Sequence, residues 1–560
     1  MVKTKSNIMK KNVLLLALLA VFVSSNETQA QNKKTTNTTP FVWEAANVYF
    51  LLTDRFNNAD QTNDSNFNRT KPTGKLRGFM GGDIKGITQK IEDGYFDRLG
   101  INAIWMTPLV EQIHDGTDEG TGYSYAFHGY WAKDWTALDP NFGTPAELKM
   151  MVEKAHQHGI RVIFDGVINH TGPVTPQDAL WPENWVRTSP ACDYKNYANT
   201  TACTLVANLP DTRTESEQNV ELPAVLVEKW KKEGRYEQEV KELDAFFART
   251  GYPRAPKYYI IKWLTDYISE YGIDGYRADT AKHIEEGVWA EFKKQCNYAF
   301  ATWKKNNPKK VLDNNAFYTT GEVSGYNISG GLYYDFGDKK VNYFANGFNS
   351  LINFEFKNEA KKEYESLFSY YSNTLQKELK GFGVLNYVSS HDDATPFDGK
   401  REKTFESATK LLLTPGTAQV YYGDESGRNL VIEGTQGDAT LRSFMNWDDI
   451  KNNPTTKKTL THWQKLGQFR KNHPAVGAGI HLQISATPYV FSRTFTQGKY
   501  KDQVVVGLNL VKGKKTIPTG TIFKNGAKVK DAYSGKEAVV ANGKVTIDSE
   551  FDLVLLELKK

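Results

Sequence analysis

The sequence predicts an α/β fold: a (β/α)8 TIM barrel with a long insertion after its third strand and an antiparallel β-sandwich at its C-terminal end. Three observations predict it. From residue 47 onward, short apolar segments alternate with polar loops and amphipathic helical patterns, the rhythm of parallel strands linked by helices. Residues 171–254 interrupt that rhythm with prolines, two cysteines and a charged helical stretch around Leu222–Phe247. After His473 the texture changes to short strands punctuated by Gly and Asn.

At the N-terminus, Lys10 and Lys11 precede an apolar run, Val13–Val23, and then a stretch ending Thr28-Gln29-Ala30. This is the charged region, apolar region and small-residue cleavage site of a signal peptide. The alternative, a membrane anchor, needs about 20 apolar residues, more than the run supplies. The expectation is a signal peptide over residues 1–30, cleaved after Ala30 (Met9 is a second candidate start), and export to the periplasm or beyond. No later segment is long and apolar enough to span a membrane. Residues 31–43, opening QNKKTTNTTP, read as a disordered linker.

The barrel is expected over 44–170 and 255–472. Its strand candidates are Val48–Thr53, Ala103–Met106, Arg161–Asn169, Gly275–Asp279, Phe317–Glu322, Ser350–Phe356, Val384–Ser389 and Ala418–Tyr422, with helices such as Pro145–His158 and Tyr258–Tyr271 between them. An open doubly wound sheet is the alternative, but no Gly-rich phosphate loop follows the first strand. The insertion, 171–254, falls at the C-terminal end of a strand, where a barrel carries functional loops. Residues 473–560 form the expected sandwich, with strands at Val504–Leu510, Lys515–Thr521, Ala538–Ile547 and Leu553–Leu558.

Composition narrows the function. Hydrophobic residues at 39% and charged residues at 24% permit a large core. Aromatics at 13% serve either that core or surfaces that stack on sugar rings. The net charge of +5 is weak for 560 residues, and no basic cluster interleaved with aromatics stands out, which argues against a nucleic-acid partner. A monomer acting on a neutral substrate is the expectation. Cys192 and Cys203, close together in a loop-like region, could pair in an oxidising compartment, and Cys296 reads as a buried free thiol.

The acids carry the chemistry. Asp165, Asp279, Glu322 and Asp392 each fall within, at or just after the end of a predicted strand. Strand C-termini of a barrel converge on one mouth, so four carboxyl groups would face one pocket. Like-charge crowding has no structural benefit, but it raises one pKa and keeps that group protonated. A retaining glycosidase needs two carboxyl groups about 5–5.5 Å apart, one nucleophile and one proton donor. Arg277 and Asp279 lie two apart on a strand and point the same way, so the arginine can hold the aspartate ionised. A merely structural Arg–Asp pair would look the same in this pentapeptide.

Beyond the acids, DGVINH (165–170), GYRADTAKH (275–283), TTGEVS (319–324) and VSSHDD (388–393) resemble, in order and spacing, the four signature regions of the α-amylase family. ANLPDT (207–212) resembles its fifth region, and TDRFNNAD (53–60), GGDIKGI (81–87), HGYWAKDW (128–135) and TPGTAQVYYGDE (414–425) also match. The whole is most similar to bacterial extracytoplasmic α-amylases, and the barrel is also similar to cyclodextrin glucanotransferases. The resemblance implies retaining cleavage of α-1,4-glucans: Asp279 as nucleophile, Glu322 as acid/base, and Asp392 binding sugar hydroxyls and distorting the ring. It implies that His128, Tyr130, His170 and His391 hold the same sugar, that Asp165 braces Arg277, and that Lys282 and His283 line the acceptor side.

It also implies Ca2+ at one or two places. One joins Asn169, Asp211 and the backbone carbonyl of His283. The other is the loop Asn58, Asp60, Asn63 and Asp64 with Gly81 and Asp83, which without the resemblance would read as an ordinary polar turn. The chain departs from the family pattern at Ser389-Ser390, at Asp393-Ala394-Thr395 and after LPDT, which bears on substrate preference. Hydrolysis of internal bonds in starch or maltodextrin is the expectation. Transglycosylation and neopullulanase-like hydrolysis are alternatives, and a non-catalytic glucan-binding relative is a third. The short C-terminal portion argues against the transferases, which carry additional β-domains.

Overall fold

The computed structural model describes residues 39–559. The expected signal segment, and all of the expected linker before Thr39, lie outside the described residues. Eight parallel strands close into a barrel: β1 (Asn47–Leu51), β2 (Ala103–Met106), β3 (Arg161–Gly166), β4 (Gly275–Ala278), β5 (Tyr318–Gly321), β6 (Ser350–Asn353), β7 (Gly383–Tyr387) and β8 (Thr417–Tyr421). Each pairs with its neighbours in chain order, and β8 closes on β1 through Asn47 opposite Ala418. Every residue of these strands is buried, as expected where side chains fill the barrel on one side and helices cover the other.

Several strands end earlier than their apolar runs suggest. β3 stops at Gly166 rather than Asn169, and β6 stops at Asn353 rather than Phe356. The residues beyond have left the ladder to form the mouth. Helix Pro145–Gln157 starts on a reciprocal cap, in which the Thr144 side chain accepts from Glu147 N–H and the Glu147 carboxylate accepts from Thr144 N–H.

The insertion is held to the barrel by tryptophans. Trp181 and Trp185 of the insertion contact Trp135 and Trp263 at ring distances of 5.7 and 6.2 Å. Buried Asp134 pairs with Lys229 at 2.8 Å and Arg235 at 2.7 Å. Much of the aromatic content is therefore core. The expected helix Leu222–Phe247 is two, Ala224–Lys232 and Tyr236–Thr250, broken at Gly234, whose φ of 74° has no place in a right-handed helix. Cys192 and Cys203 form a disulfide, and Cys296 is buried and free.

The C-terminal part holds two antiparallel sheets. One has six strands, in the order Ile480–Ser485, Tyr489–Gln497, Tyr500–Leu508, Val554–Leu558, Lys528–Asp531, Glu537–Val539; the other pairs Gly513–Pro518 with Lys544–Ser549. Val490, Val505, Ile517, Val545 and Ile547 form a core shared by both. The expected strand Ala538–Ile547 is two strands in different sheets, separated at Asn542-Gly543, both at positive φ. Among the described residues, no helix is long and apolar enough to cross a membrane.

Candidate active site

The C-terminal ends of β3, β4 and β5 bring Asp165, Arg277, Asp279 and Glu322 together. Asp165 and Arg277 lie opposite each other in register on β3 and β4. Asp279 and Glu322 follow the last residues of β4 and β5, tied back by Asp279 N–H to Gly166 O (3.0 Å) and Glu322 N–H to Ala278 O (2.9 Å). The Arg277 guanidinium reaches all three acids: Nη1 lies 2.9 Å from Asp165 Oδ1 and 2.6 Å from Asp279 Oδ1, and Nη2 lies 2.8 Å from Glu322 Oε2. Thr280 adopts a left-handed φ of 47°, uncommon for a β-branched residue, and its N–H donates to Glu322 Oε2 at 2.8 Å.

One arginine cannot balance three buried carboxylates, so the acids divide. Burial pushes Glu322 up to about 8, against the pull of Arg277 and with repulsion from Asp279 and Asp392. Burial likewise raises Asp165 to about 7, although Arg277 opposes it. Burial works against ionised Asp279 as well, but the Arg277 guanidinium, 2.6 Å away, outweighs it and holds the carboxyl below its ordinary value. One acid is thus set to be protonated and its neighbour ionised.

Tyr130 Oη donates to Asp165 Oδ2 at 2.9 Å, and Trp105 Nε1 donates to the same oxygen at 3.1 Å. The Tyr130 ring lies near-parallel to the rings of His128 and His391, at 5.8 and 5.4 Å. His170 Nε2 donates to Tyr130 O at 3.1 Å. Burial lowers the pKa of His128, His170 and His391, the last to about 4, so these imidazoles are neutral hydrogen-bonding groups at neutral pH. A cavity of about 770 Å3 opens beside His128 and Tyr130, with Trp131, Asp438 and Arg442 also in its wall.

Lys282 and His283 part company. Lys282 Nζ donates to Ser324 O at 2.9 Å and lies 5.9 and 5.6 Å from the rings of Tyr194 and Tyr334. His283 is buried beneath the insertion, with Nδ1 donating to Thr200 O at 3.1 Å.

Asp392 is the most open acid. Its side chain is 41% exposed, and His391 Nδ1 lies 3.7 Å away, beyond hydrogen-bond range. Its position depends on its loop, which Arg442, Lys357 and Tyr387 hold. Arg442 Nε donates to His391 O at 2.9 Å. Asp393, the unusual residue after the histidine–aspartate pair, is gripped by Lys357, which also donates to Thr395 Oγ1 at 2.7 Å, and by Tyr387 Oη at 2.7 Å. Lys357, Trp105, Thr280 and Arg442 are partners that sequence reasoning missed; each reaches a group 36 to 60 residues away along the chain, a contact that no local pattern marks. Replacing Lys357 by methionine is expected to lower kcat about 10- to 100-fold through misplacement of Asp392, with partial recovery in Lys357→Arg. Steady-state kinetics beside thermal melts check this; unchanged kcat in a folded variant would contradict it.

The two expected calcium positions differ in fit. In the loop after β1, Asn58 Oδ1 and Asn63 Oδ1 are buried without a hydrogen-bond donor, and Asp64 Oδ1 is 2.8 Å from Asn58 Nδ2. Gly81 keeps this pocket clear: a Cβ there would meet Asn58 Nδ2 at 2.3 Å and Asp64 Oδ1 at 2.5 Å. Asp60 and Asp83 are otherwise engaged. Asp83 accepts from the N–H groups of Ala59, Asp60 and Gly86, and Asp60 accepts from Thr62 and pairs with Lys85. At the other position Asn169 and Asp211 adjoin, with Thr212 N–H donating to Asn169 O at 2.7 Å, but Arg187 Nε already sits 2.9 Å from Asp211 Oδ2. Among the described residues, no three His, Cys, Asp or Glu side chains cluster as a metal site, so any ion would lean on amide and carbonyl oxygens.

Comparison with known proteins agrees with this geometry. The family profile "Alpha amylase, catalytic domain" matches residues 50–479. A periplasmic alpha-amylase of Escherichia coli (strain K12) is 35% identical over 506 residues, covering 80% of this chain and 70% of that protein. The solved structure of an Anoxybacillus alpha-amylase superposes with a TM-score of 0.63 at 22% identity, covering 93% of this chain and all of that one. A cyclomaltodextrin glucanotransferase with a three-domain ABC distribution superposes with a TM-score of 0.60 at 22% identity, covering 92% of this chain and 99% of that one. A short C-terminal portion therefore does not separate hydrolases from transferases. The profile match, the 35% identity and the barrel with its carboxyl-lined mouth place this chain in the α-amylase family of glycoside hydrolases.

Proposed function

We propose that this protein hydrolyses internal α-1,4 bonds of starch or maltodextrin with retention at the anomeric carbon. The observation that carries it is the convergence of Asp279 and Glu322 on one buried guanidinium, at 2.6 and 2.8 Å, where Arg277 favours ionised Asp279 and burial favours protonated Glu322. Ionised Asp279 attacks the anomeric carbon as the bond to the leaving oxygen breaks, forming a glycosyl ester. Glu322 donates its proton to that oxygen; because Arg277 and Thr280 both donate to Oε2, the proton belongs on Oε1. The glutamate then deprotonates a water, which attacks the same carbon and releases Asp279. Asp165 braces Arg277. Asp392, with neutral His170 and His391 and the Tyr130 ring, binds the reacting sugar. Lys282, between Tyr194 and Tyr334, faces the acceptor side, while His283 contributes by anchoring the insertion.

Incubating the mature protein with amylose and maltoheptaose and resolving the products tests this. Shorter linear sugars are expected. Longer or cyclic products would mean transfer, and no change would mean binding alone.

The fit of the 58–64 loop supports one Ca2+ held by Asn58, Asn63 and Asp64, and Asn169 with Asp211 forms a second, weaker candidate. An ion that binds only the folded chain stabilises it by about 3 kcal/mol at a hundred times its Kd. Chelation is therefore expected to lower Tm and activity together, with both restored by added calcium. A preparation shown metal-free by elemental analysis, yet melting and turning over as before, would refute the ion's role. Export follows the same reading, and mass spectrometry of the native N-terminus is expected to find it near Gln31, outside the cytoplasm.

A further inference from the structure

The weaker of the two calcium positions already holds a cation, and it belongs to the chain. The short strand Asp211–Thr212 pairs on both sides. On one side it meets Val186–Arg187 of the insertion, with Arg187 directly opposite Asp211 and Arg213 N–H donating to Trp185 O at 2.8 Å. On the other it meets the residues that follow β3. His170 bridges to Asp211, Thr212 N–H donates to Asn169 O at 2.7 Å, and Thr171 N–H donates to Pro210 O at 3.0 Å. Asp211 thus stands in the middle of a ladder that runs from Arg187 in the insertion to His170 at the mouth.

The groups at this joint are out of water: Arg187 is 7% exposed and Asp211 2%. A buried carboxylate needs a positive partner at close range. Arg187 Nε lies 2.9 Å from Asp211 Oδ2, and Arg187 Nη2 donates to Glu215. The guanidinium therefore spans two carboxylates, which is the work a divalent ion would do here. Calcium gathers about six to eight oxygens at roughly 2.3–2.6 Å. An ion bound to the same Asp211 carboxylate would sit against a fixed positive charge. The residues present suit the guanidinium and oppose a second cation beside it.

We propose that Arg187 takes the place of a calcium ion at the joint between insertion and barrel, and that it is a positioning residue for His170. Through Asp211 it fixes the 169–171 segment. The insertion is held to the mouth by the chain's own cation, and calcium binding is confined to the 58–64 loop.

The test counts calcium by elemental analysis in the full-length enzyme and in Arg187→Ala, each equilibrated with calcium and then desalted. The variant is expected to hold about one calcium per chain more than the unaltered enzyme, because removing the guanidinium leaves its carboxylates to an ion. At low calcium its kcat on maltoheptaose is expected to fall about 10- to 100-fold below that of the unaltered enzyme, the scale of a misplaced binding group. At high calcium, or in Arg187→Lys, that gap should narrow. An equal calcium count in both enzymes, or a gap that calcium leaves unchanged, would overturn the proposal. Should Arg187→Ala fold poorly, anomalous diffraction from calcium-soaked crystals of the unaltered enzyme decides: no ion is expected at Asp211, and a peak there would overturn the proposal. The metal count does not depend on cleavage, so failure of the hydrolase reading would leave it standing.

Discussion

Asp279→Asn is expected to lower turnover of amylose at least about 10^4-fold, the scale seen when a nucleophile is removed, while glucan binding and the fold persist. The fold persists because Arg277 keeps two anchors, Asp165 at 2.9 Å and Glu322 at 2.8 Å. Glucan binding persists because Tyr130, His170, His391 and Asp392 are untouched. The amide cannot form the glycosyl ester, so the loss falls on kcat. Removing this negative charge also removes one of the repulsions that hold Glu322 protonated, so the glutamate's pKa should fall. Kinetics with a binding assay on the same preparation check this. Substantial turnover, with deamidation back to aspartate excluded by mass spectrometry, would remove Asp279 from the nucleophile's place.

Glu322→Gln is expected to slow natural substrates about 10^2- to 10^4-fold, the range for loss of a general acid, and to spare the first step with glycosyl fluorides, whose leaving group needs little protonation. The pH profile gives a second readout. In the unaltered enzyme kcat/KM rises as Asp279 ionises, below the ordinary carboxylate range, and falls as Glu322 loses its proton near pH 8. The sign is that of an acid required protonated and a nucleophile required ionised. For glycosylation by fluoride in the glutamine variant, the alkaline limb should vanish. Equal losses with both kinds of substrate, or an unmoved alkaline limb, would deny Glu322 the acid's role.

The barrel and its mouth were legible because both rest on local pattern. Buried parallel strands read as short apolar runs, and an acid at the end of such a run falls at the mouth whatever the packing around it. That placed Asp165, Asp279 and Glu322 from their neighbours in sequence alone. Asp392 was placed at the mouth by the same argument, but the way its loop beyond β7 is held, by Lys357 and Arg442, was not legible. Those contacts span 36 and 51 residues and leave no periodic trace. The left-handed turn at Thr280 is equally silent, because a threonine announces no positive φ. Other errors had signals that were available. Gly234 marked the break between the insertion's helices, and Asn542-Gly543 marked the turn that divides the last expected strands. His283 was placed on the acceptor side by its motif, yet Thr200 draws its ring beneath the insertion. Only the fold of the insertion reveals that contact.

The account turns on a covalent intermediate at Asp279, and trapping that intermediate tests it most directly. Glu322→Gln, charged with an activated α-glycosyl fluoride, should accumulate a glycosyl ester, since attack no longer needs the acid but release still needs the base. Digestion and mass spectrometry are expected to find the added sugar on the peptide containing Asp279, and NMR of the first product of the unaltered enzyme should show the α-anomer. A β-anomer as first product, or a sugar attached to any residue other than Asp279, would contradict the account.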